Sequence, residues 1–349
     1  MLLALVVEYV VLPQIVGVRR SLHLLGQVNL GYVVVGVALE AASLAAYARL
    51  TQAVLPRKTS TFSRIWRIDL STLAVSHVLP GGTAGGDGLG YHLLTNEGVE
   101  GSDAGFALAV QGIGSAVVLN VVLWLSLIVS IPLTGYNPLY TTVAIVGALL
   151  LFAFGFLVIF LTKGEDRAAA ILQNVVRRLP FVKDGVADTA NRVVHQLADR
   201  IRMMAADPRL LWSAVGWAAA NWLLDAASLF VFLAAFGHIE NPDGLLVAYG
   251  LAYVLAAVPV TPGGLGVVEG VLVPSLVGFG AVRSVAIVAV ISYRLVNFWL
   301  PIPVGACAYL SLKTSDGPVS TRREELKAVL AETHAHKRAD AAIHARDCR

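Results

Sequence analysis

Hydrophobic positions along the chain fall into long unbroken runs. Runs at 2–18, 28–50, 104–131, 140–162, 209–236 and 284–310 approach or exceed the roughly 20 helical residues that cross a hydrocarbon layer, and they predict six full spans. Two further apolar regions, 68–95 and 244–280, are broken by Gly and Pro. The first run is short and contains Glu8 and Pro13. It has neither the basic start nor the small-residue cleavage site of a signal peptide.

Lys and Arg in the loops orient the spans, because basic loops stay on the cytoplasmic side. Arg57, Lys58, Arg64 and Arg67 crowd the loop 51–67, nine basic residues lie in 163–209, and eight follow residue 311. The loops 132–139 and 237–243 carry none and are expected outside. If 68–95 crossed once, 163–209 would fall outside, against the charge rule. If it enters and returns, the basic loops fall inside, with Arg19, Arg20 and Arg283 as minority violations. The same logic makes 244–280 a hairpin entering from outside. The expected fold class is therefore an all-α polytopic membrane protein of about six transmembrane helices plus two re-entrant hairpins, located in the cell membrane with both termini cytoplasmic.

Between the spans, Val186, Ala190, Val193, Leu197, Ile201 and Met204 stand at helical spacing and predict an amphipathic connector within 163–208. In the tail, Thr321 and Glu324 fit a capping box opening a charged helix over 313–349. His334, His336 and His344 on such a helix are weak grounds for a metal.

Composition agrees. The 349 residues are 57% hydrophobic and 14% charged, with a mean hydropathy of +0.72, against about 45–50% and about 25% in a soluble domain. Disorder, collagen, coiled coil and a disulfide scaffold are excluded. A net charge of +3 gives nucleic acid no support, and two cysteines, Cys307 and Cys348, suggest neither a disulfide nor zinc.

A duplicated motif is the most specific feature. Pro80-Gly81-Gly82-Thr83-Ala84-Gly85-Gly86-Asp87-Gly88 matches Pro262-Gly263-Gly264-Leu265-Gly266-Val267-Val268-Glu269-Gly270, and both read P-G-G-x4-acid-G. Each copy sits in a broken apolar region, one hairpin entering from each side, and the flanking spans are opposed in the same way. That is the pattern of an inverted-topology repeat with a site at its centre. Pro and Gly end a half-helix and turn the chain. The backbone groups they free are tolerable at membrane depth only beside protein or a wet cavity, and free N–H groups at a half-helix start attract anions. Gly81, Gly82, Gly263 and Gly264 are therefore candidate binding positions.

Ionisable groups in apolar spans are costly and are candidate site residues: Glu40, Asp87, Asp225, Glu269 and Arg294. Glu8 lies near a chain end, Asp69 stands beside Arg67 as an expected ion pair, and His77 before the first motif is expected to be packed. The equal offsets of Asp87 and Glu269 predict that both face one cavity near mid-membrane, where two carboxylates resist joint ionisation. Arg294, within Tyr293-Arg294-Leu295-Val296-Asn297, can hold a phosphate bidentately or neutralise an acid.

No Walker A loop, H-E-x-x-H, G-x-S-x-G or zinc-spaced cysteine pair is present. Gly86-Asp87-Gly88-Leu89-Gly90 matches part of a dinucleotide fingerprint without its βαβ context. No enzyme activity and no cofactor are expected.

The P-G-G-x4-E-G of 262–270, the Tyr-Arg of 293–294 and the layout of spans and hairpins together resemble the lysylphosphatidylglycerol synthetase transmembrane (flippase-like) family. The resemblance covers roughly 1–312 and implies a flippase-like transmembrane domain over that stretch. In bifunctional members that domain moves aminoacylated phosphatidylglycerol made by a fused synthase domain. Here about 40 residues follow the last span, too few for an acyltransferase domain, so synthase activity is not expected. By similarity Glu269 and Arg294 are central residues.

The leading expectation is a lipid translocase that passes a polar or anionic headgroup through the two Pro-Gly-Gly hairpins. Its expected partners are the membrane lipid itself and a separate lipid-synthesising enzyme. An ion-coupled transporter of a small solute and a scaffold for an envelope-lipid enzyme are the alternatives.

Overall fold

The computed structural model describes residues 29–56, 60–79, 82–134, 144–145, 147–149, 151–153, 155–156, 199–204, 206–256 and 261–315. The expected span 2–18, most of 140–162, most of the connector, the tail helix, Pro80 and Gly81 lie outside them.

Among the described residues the secondary structure is helical throughout. Helix α1 is Leu30–Val54. Helices α2, Phe62–Val78, and α3, Gly82–Asn96, follow. Helix α4, Gly101–Ala109, runs through a π-turn, Val110–Gly114, into α5, Ser115–Thr134. Helix α6 is Pro208–Ala235 and α7 is Pro242–Ala256. A 3₁₀ turn, Pro262–Gly264, precedes α8, Val267–Gly278. Helix α9, Arg283–Arg294, runs through a second π-turn, Leu295–Trp299, into α10, Pro301–Ser315.

Among the described residues four helices are long and apolar enough to cross a bilayer: Leu30–Val54, Gly101–Pro132, Pro208–Ala235 and Arg283–Thr314. Shorter apolar helices occupy Pro242–Ala256 and Pro262–Gly278. The protein is thus an all-α, multi-pass membrane protein. Both broken apolar regions are helix, break, helix, and in each the two helices pack on one another, α2 on α3 and α7 on α8.

Local sequence sets the helix ends. The Asn29 side chain accepts from the Gly31 N–H at 3.0 Å and opens α1. Asp207 accepts from Arg209 and Leu210 at the start of α6, with Pro208 in the first turn. These are ordinary N-caps that satisfy amides the helix cannot.

Small and hydroxyl residues hold the bundle together, as expected where lipid removes any hydrophobic drive between helices. Helix α1 lies against α6. Ser228 Oγ donates to the Gly36 carbonyl at 3.0 Å, Ser43 Oγ donates to the Asn221 carbonyl at 2.9 Å, and Asn221 Nδ2 returns a bond to Ser43 Oγ at 2.8 Å. A Cβ on Gly36 would meet the Phe232 ring at 2.9 Å. Helix α10 packs on α2 through Gly305, where a Cβ would run into the Leu70 carbonyl and lie 2.6 Å from the Ala74 methyl. Helix α7 packs on α5 in the same manner through Gly250, against Leu123.

The Gly305 contact gives a testable consequence. Gly305→Val should destabilise the protein by about 3 kcal/mol or more, above the usual cost of overpacking, because the obstacle is backbone. Gly216→Val should be close to neutral, since a Cβ there meets nothing within 4 Å. Thermal stability of the two detergent-purified variants, followed by size-exclusion profile, checks this; equal profiles would show that α10 does not need the close approach.

Candidate functional site

The two copies of the duplicated motif fold differently. In the second copy Gly263, Gly264 and Gly266 have φ of 54°, 67° and 82°. These are left-handed values that glycine adopts without steric cost. The glycines therefore make the turn, and α8 starts only after it. Glu269 falls in the first turn of α8, where its Oε2 accepts from the Gly266 N–H at 2.7 Å. In the first copy the helix already runs from Gly82. Gly82, Gly86 and Gly90, each four residues apart, lie on one face against α2. A Cβ at Gly82 would collide with the Ser76 backbone, one at Gly86 with Ser76 Oγ, and one at Gly90 would lie 3.1 Å from Thr72. Here the glycines serve close helix packing.

That difference separates the two acids. Glu269 is buried and ion-paired with Arg294. Asp87 is exposed on α3 and makes no hydrogen bond or ion pair among the described residues. The two acids thus stand in unlike settings, Glu269 ion-paired in the first turn of its helix and Asp87 exposed one and a half turns into its own. The physical reason is that α3 begins too early for Asp87 to act as a first-turn cap.

Arg294, at the end of α9, is 4% exposed. Its Nε donates to Glu269 Oε1 at 2.7 Å, one terminal nitrogen to Asn297 Oδ1 at 3.2 Å and the other to the Gly263 carbonyl at 3.2 Å. Its guanidinium carbon stands 4.6 Å from the centre of the Phe298 ring. One planar fork thus ties α9 to α8, to the π-turn and to the tip of the break.

The two broken pairs meet at Phe298. His77, near the end of α2, stacks on that ring at 4.3 Å, and its Nδ1 is 3.0 Å from the Phe298 carbonyl. A Cβ on Gly263 would strike the same ring and lie 3.1 Å from His77. Gly264 is buried beside Ala256.

Behind Arg294 lies a polar cluster. Asn297, in the second π-turn, donates from Nδ2 to Glu40 Oε1 and to Asp225 Oδ1, both at 3.1 Å. Asp225 also accepts from Tyr249 at 2.6 Å and from Tyr293 at 2.7 Å. Tyr253 joins Tyr293 at 2.5 Å and donates to Asn297 at 3.1 Å. The structure therefore brings Glu40, Asp225, Glu269, Arg294, Gly263 and Gly264 into one centre. It leaves Gly82 and Asp87 on the α2–α3 pair, and Gly81 is outside the described residues.

Asn297, Tyr249 and Tyr253 carried no signal strong enough for selection by sequence alone. The available hints were the three-residue spacing of Arg294 and Asn297 and the four-residue spacing of the tyrosines, each placing a pair on one helix face. Asp69 is also corrected: it accepts from Thr51 Oγ1 at 2.9 Å, and Gln111 of the first π-turn donates to that hydroxyl at 2.7 Å. Its partners are neutral donors that can reach it inside the helix packing, and no ion pair joins it to Arg67. Asp103, at the start of α4, pairs instead with Arg200.

Removing one partner of a buried ion pair strands the other. Arg294→Met should cost about 3–5 kcal/mol, and Arg294→Met/Glu269→Gln should recover part of that loss because no orphan carboxylate remains. Thermal midpoints of the purified variants measure this. A double variant no more stable than Arg294→Met would show that the pair is not coupled.

The family described as the lysylphosphatidylglycerol synthase TM region matches residues 1–305. Among curated proteins, a UPF0104 membrane protein of Methanothermobacter thermautotrophicus is 22% identical over 243 residues, 68% of this chain and 71% of the relative. A second UPF0104 membrane protein of that organism is 22% identical over 178 residues, 48% and 52% of the two chains. An uncharacterized protein of Synechocystis sp. is 33% identical over 89 residues, 25% and 27% of the two chains. With most of its length matched, a buried Arg–Glu pair at its centre and four membrane-length helices around it, the chain belongs to the lysylphosphatidylglycerol synthase transmembrane-region family.

Proposed function

We propose that the protein is a lipid translocase, passing a polar or anionic headgroup between its two broken-helix pairs while the acyl chains stay in the hydrocarbon. Arg294 carries the reading. A buried guanidinium at the tip of a broken helix is built to hold a phosphate, which accepts two parallel hydrogen bonds as a carboxylate does. In the resting centre those donors are held by Glu269, Asn297 and the Gly263 carbonyl. A headgroup that displaced Glu269 would release the first turn of α8 from α9. Binding and helix movement would then be one event, as a ligand-driven shift between two states requires. Membership of a family named for a lipid synthase's membrane region supports a lipid substrate.

In this reading Gly263 and Gly264 shape the tip, Glu269 is the internal competitor, and Gly82 and Asp87 belong to the opposite lip. The two broken pairs are re-entrant hairpins of an inverted repeat. Supporting this, each stretch has the order long helix, broken pair, π-interrupted helix, and the packing is reciprocal: α2 against α10 of the other stretch, α7 against α5.

The test is translocation of a tail-labelled phosphatidylglycerol in proteoliposomes of the full chain. Wild type should exchange the lipid faster than protein-free vesicles. Arg294→Lys and Glu269→Gln should each reduce exchange to the protein-free rate, because a point charge cannot replace the fork and Gln cannot compete as an anion. Asp87→Asn should do the same if its lip handles the headgroup. Wild-type exchange no faster than protein-free vesicles overturns the proposal.

Topology has its own check. A cysteine in the acidic loop 96–103 should label only from the cytoplasmic side, and one near Phe279 only from outside. External labelling in 96–103 would remove the re-entrant arrangement.

A further inference from the structure

Among the described residues the centre contains more acid than its one arginine can neutralise. Arg294 pairs directly with Glu269, on α8. Glu40, on α1, and Asp225, on α6, are 3% and 5% exposed, and among the described residues no Lys, Arg or His is bonded to them. Arg294 reaches them only across Asn297. The other groups facing them are the phenols Tyr249 and Tyr253 on α7 and Tyr293 on α9. His77, from α2, is turned to the Phe298 carbonyl. Two buried carboxylates without a cation between them are expensive, and a proton on one removes the cost with the least rearrangement.

Hydrogen bonding says which acid holds it. Asp225 accepts three bonds, from Tyr249, Tyr293 and Asn297, which is the arrangement of an ionised carboxylate. Glu40 accepts one bond at Oε1, and its buried Oε2 has no partner. One Asn297 nitrogen bonds both carboxyl groups at 3.1 Å, which sets them side by side. An O–H on Glu40 aimed at Asp225 is the donor the cluster lacks.

We propose that Glu40 carries an exchangeable proton held against Asp225, and that this pair is the proton-coupling site of the transporter. The coupling half rests on the lipid-translocase reading; the proton itself does not. Asn297 is the link. Its oxygen accepts from Arg294 and its nitrogen serves both acids, so a headgroup that draws Arg294 away also draws the shared amide from the carboxyl pair. Losing the amide and the nearby cation leaves the Asp225 carboxylate less stabilised, so the pair takes up a second proton from water on the side to which the centre opens and gives it up on the other side when Arg294 and Asn297 return.

Infrared spectroscopy of the full chain in lipid nanodiscs tests the proton without any transport. Wild type should show the carbonyl stretch of a buried protonated carboxylic acid near neutral pH. Glu40→Gln should lose it, and Asp87→Asn should keep it. An unchanged band in Glu40→Gln overturns the assignment, and so does loss of the wild-type band on adding NaCl at fixed pH, which would make the pair a cation site. Should Glu40→Gln fail to fold, Tyr249→Phe serves: it removes one donor from Asp225, strengthens that group as an acceptor for Glu40, and must shift the band. An unshifted band overturns the pairing.

Coupling is read in proteoliposomes carrying tail-labelled phosphatidylglycerol under an imposed pH difference. One proton per lipid should enrich the lipid about tenfold in one leaflet per pH unit at equilibrium, and a protonophore should abolish the enrichment. Wild-type protein that moves lipid but ignores the pH difference overturns the coupling and leaves the translocase reading standing. If no lipid moves at all, the translocase reading falls, while the infrared result still decides whether Glu40 holds a proton.

Discussion

One guanidinium organises the centre of this protein. Arg294 has donors for more than one partner, and each hydrogen bond it makes goes to a different structural element: the first turn of α8, the π-turn after α9 and the carbonyl at the tip of the break. A charge that buried is stable only if paired and bonded, so the surrounding backbone is shaped to supply those bonds. The left-handed glycines bring the Gly263 carbonyl within reach, and the early position of Glu269 in α8 lets one carboxylate cap a helix and neutralise the arginine together. The π-turn contributes too. An extra residue in the helical turn sets Asn297 beside Arg294, where it can connect the arginine to acids on two other helices.

The placement of small residues follows from the same constraint. Glu40 and Asp225 stand on α1 and α6, and the Ser43–Asn221 and Ser228–Gly36 contacts between those helices hold both acids in place. Without that close approach Asn297 could not donate to both. Packing by Gly, Ser and Asn, rather than by large apolar side chains, fixes the distance between two carboxyl groups.

Much of this was legible in the sequence because charge in an apolar span is rare and costly. Glu40, Asp225, Glu269 and Arg294 stood out for that reason alone, although they are as much as 254 positions apart, from 40 to 294, and the structure gathers them. The interrupted apolar runs likewise announced the two helix breaks. What stayed hidden were neutral groups. Tyr249, Tyr253 and Asn297 are unremarkable on an apolar helix until the fold brings them to one cluster of acids. The motif also concealed a difference. P-G-G-x4-acid-G is satisfied both by a glycine turn that caps a helix and by a glycine face that packs one, and only the start point of the helix decides between them. The expected Asp69–Arg67 pair does not form because the nearest charge in sequence is not the nearest donor in space, which is Thr51.

The same element order is therefore filled with unlike chemistry. At the first π-turn Gln111 and Thr51 surround Asp69, one acid among neutral donors. At the second, Asn297 joins two acids to an arginine that is itself paired with a third. A cluster of one acid and neutral donors does not rely on a distant cation for its bonds. A cluster whose charges balance only in one arrangement does, since moving Arg294 leaves Glu269 without its cation and strips the bridging amide from Glu40 and Asp225. The arginine-bearing half is thus held to one arrangement more strictly than the Asp69 half, because a single movement of Arg294 disturbs three carboxyl groups on three helices.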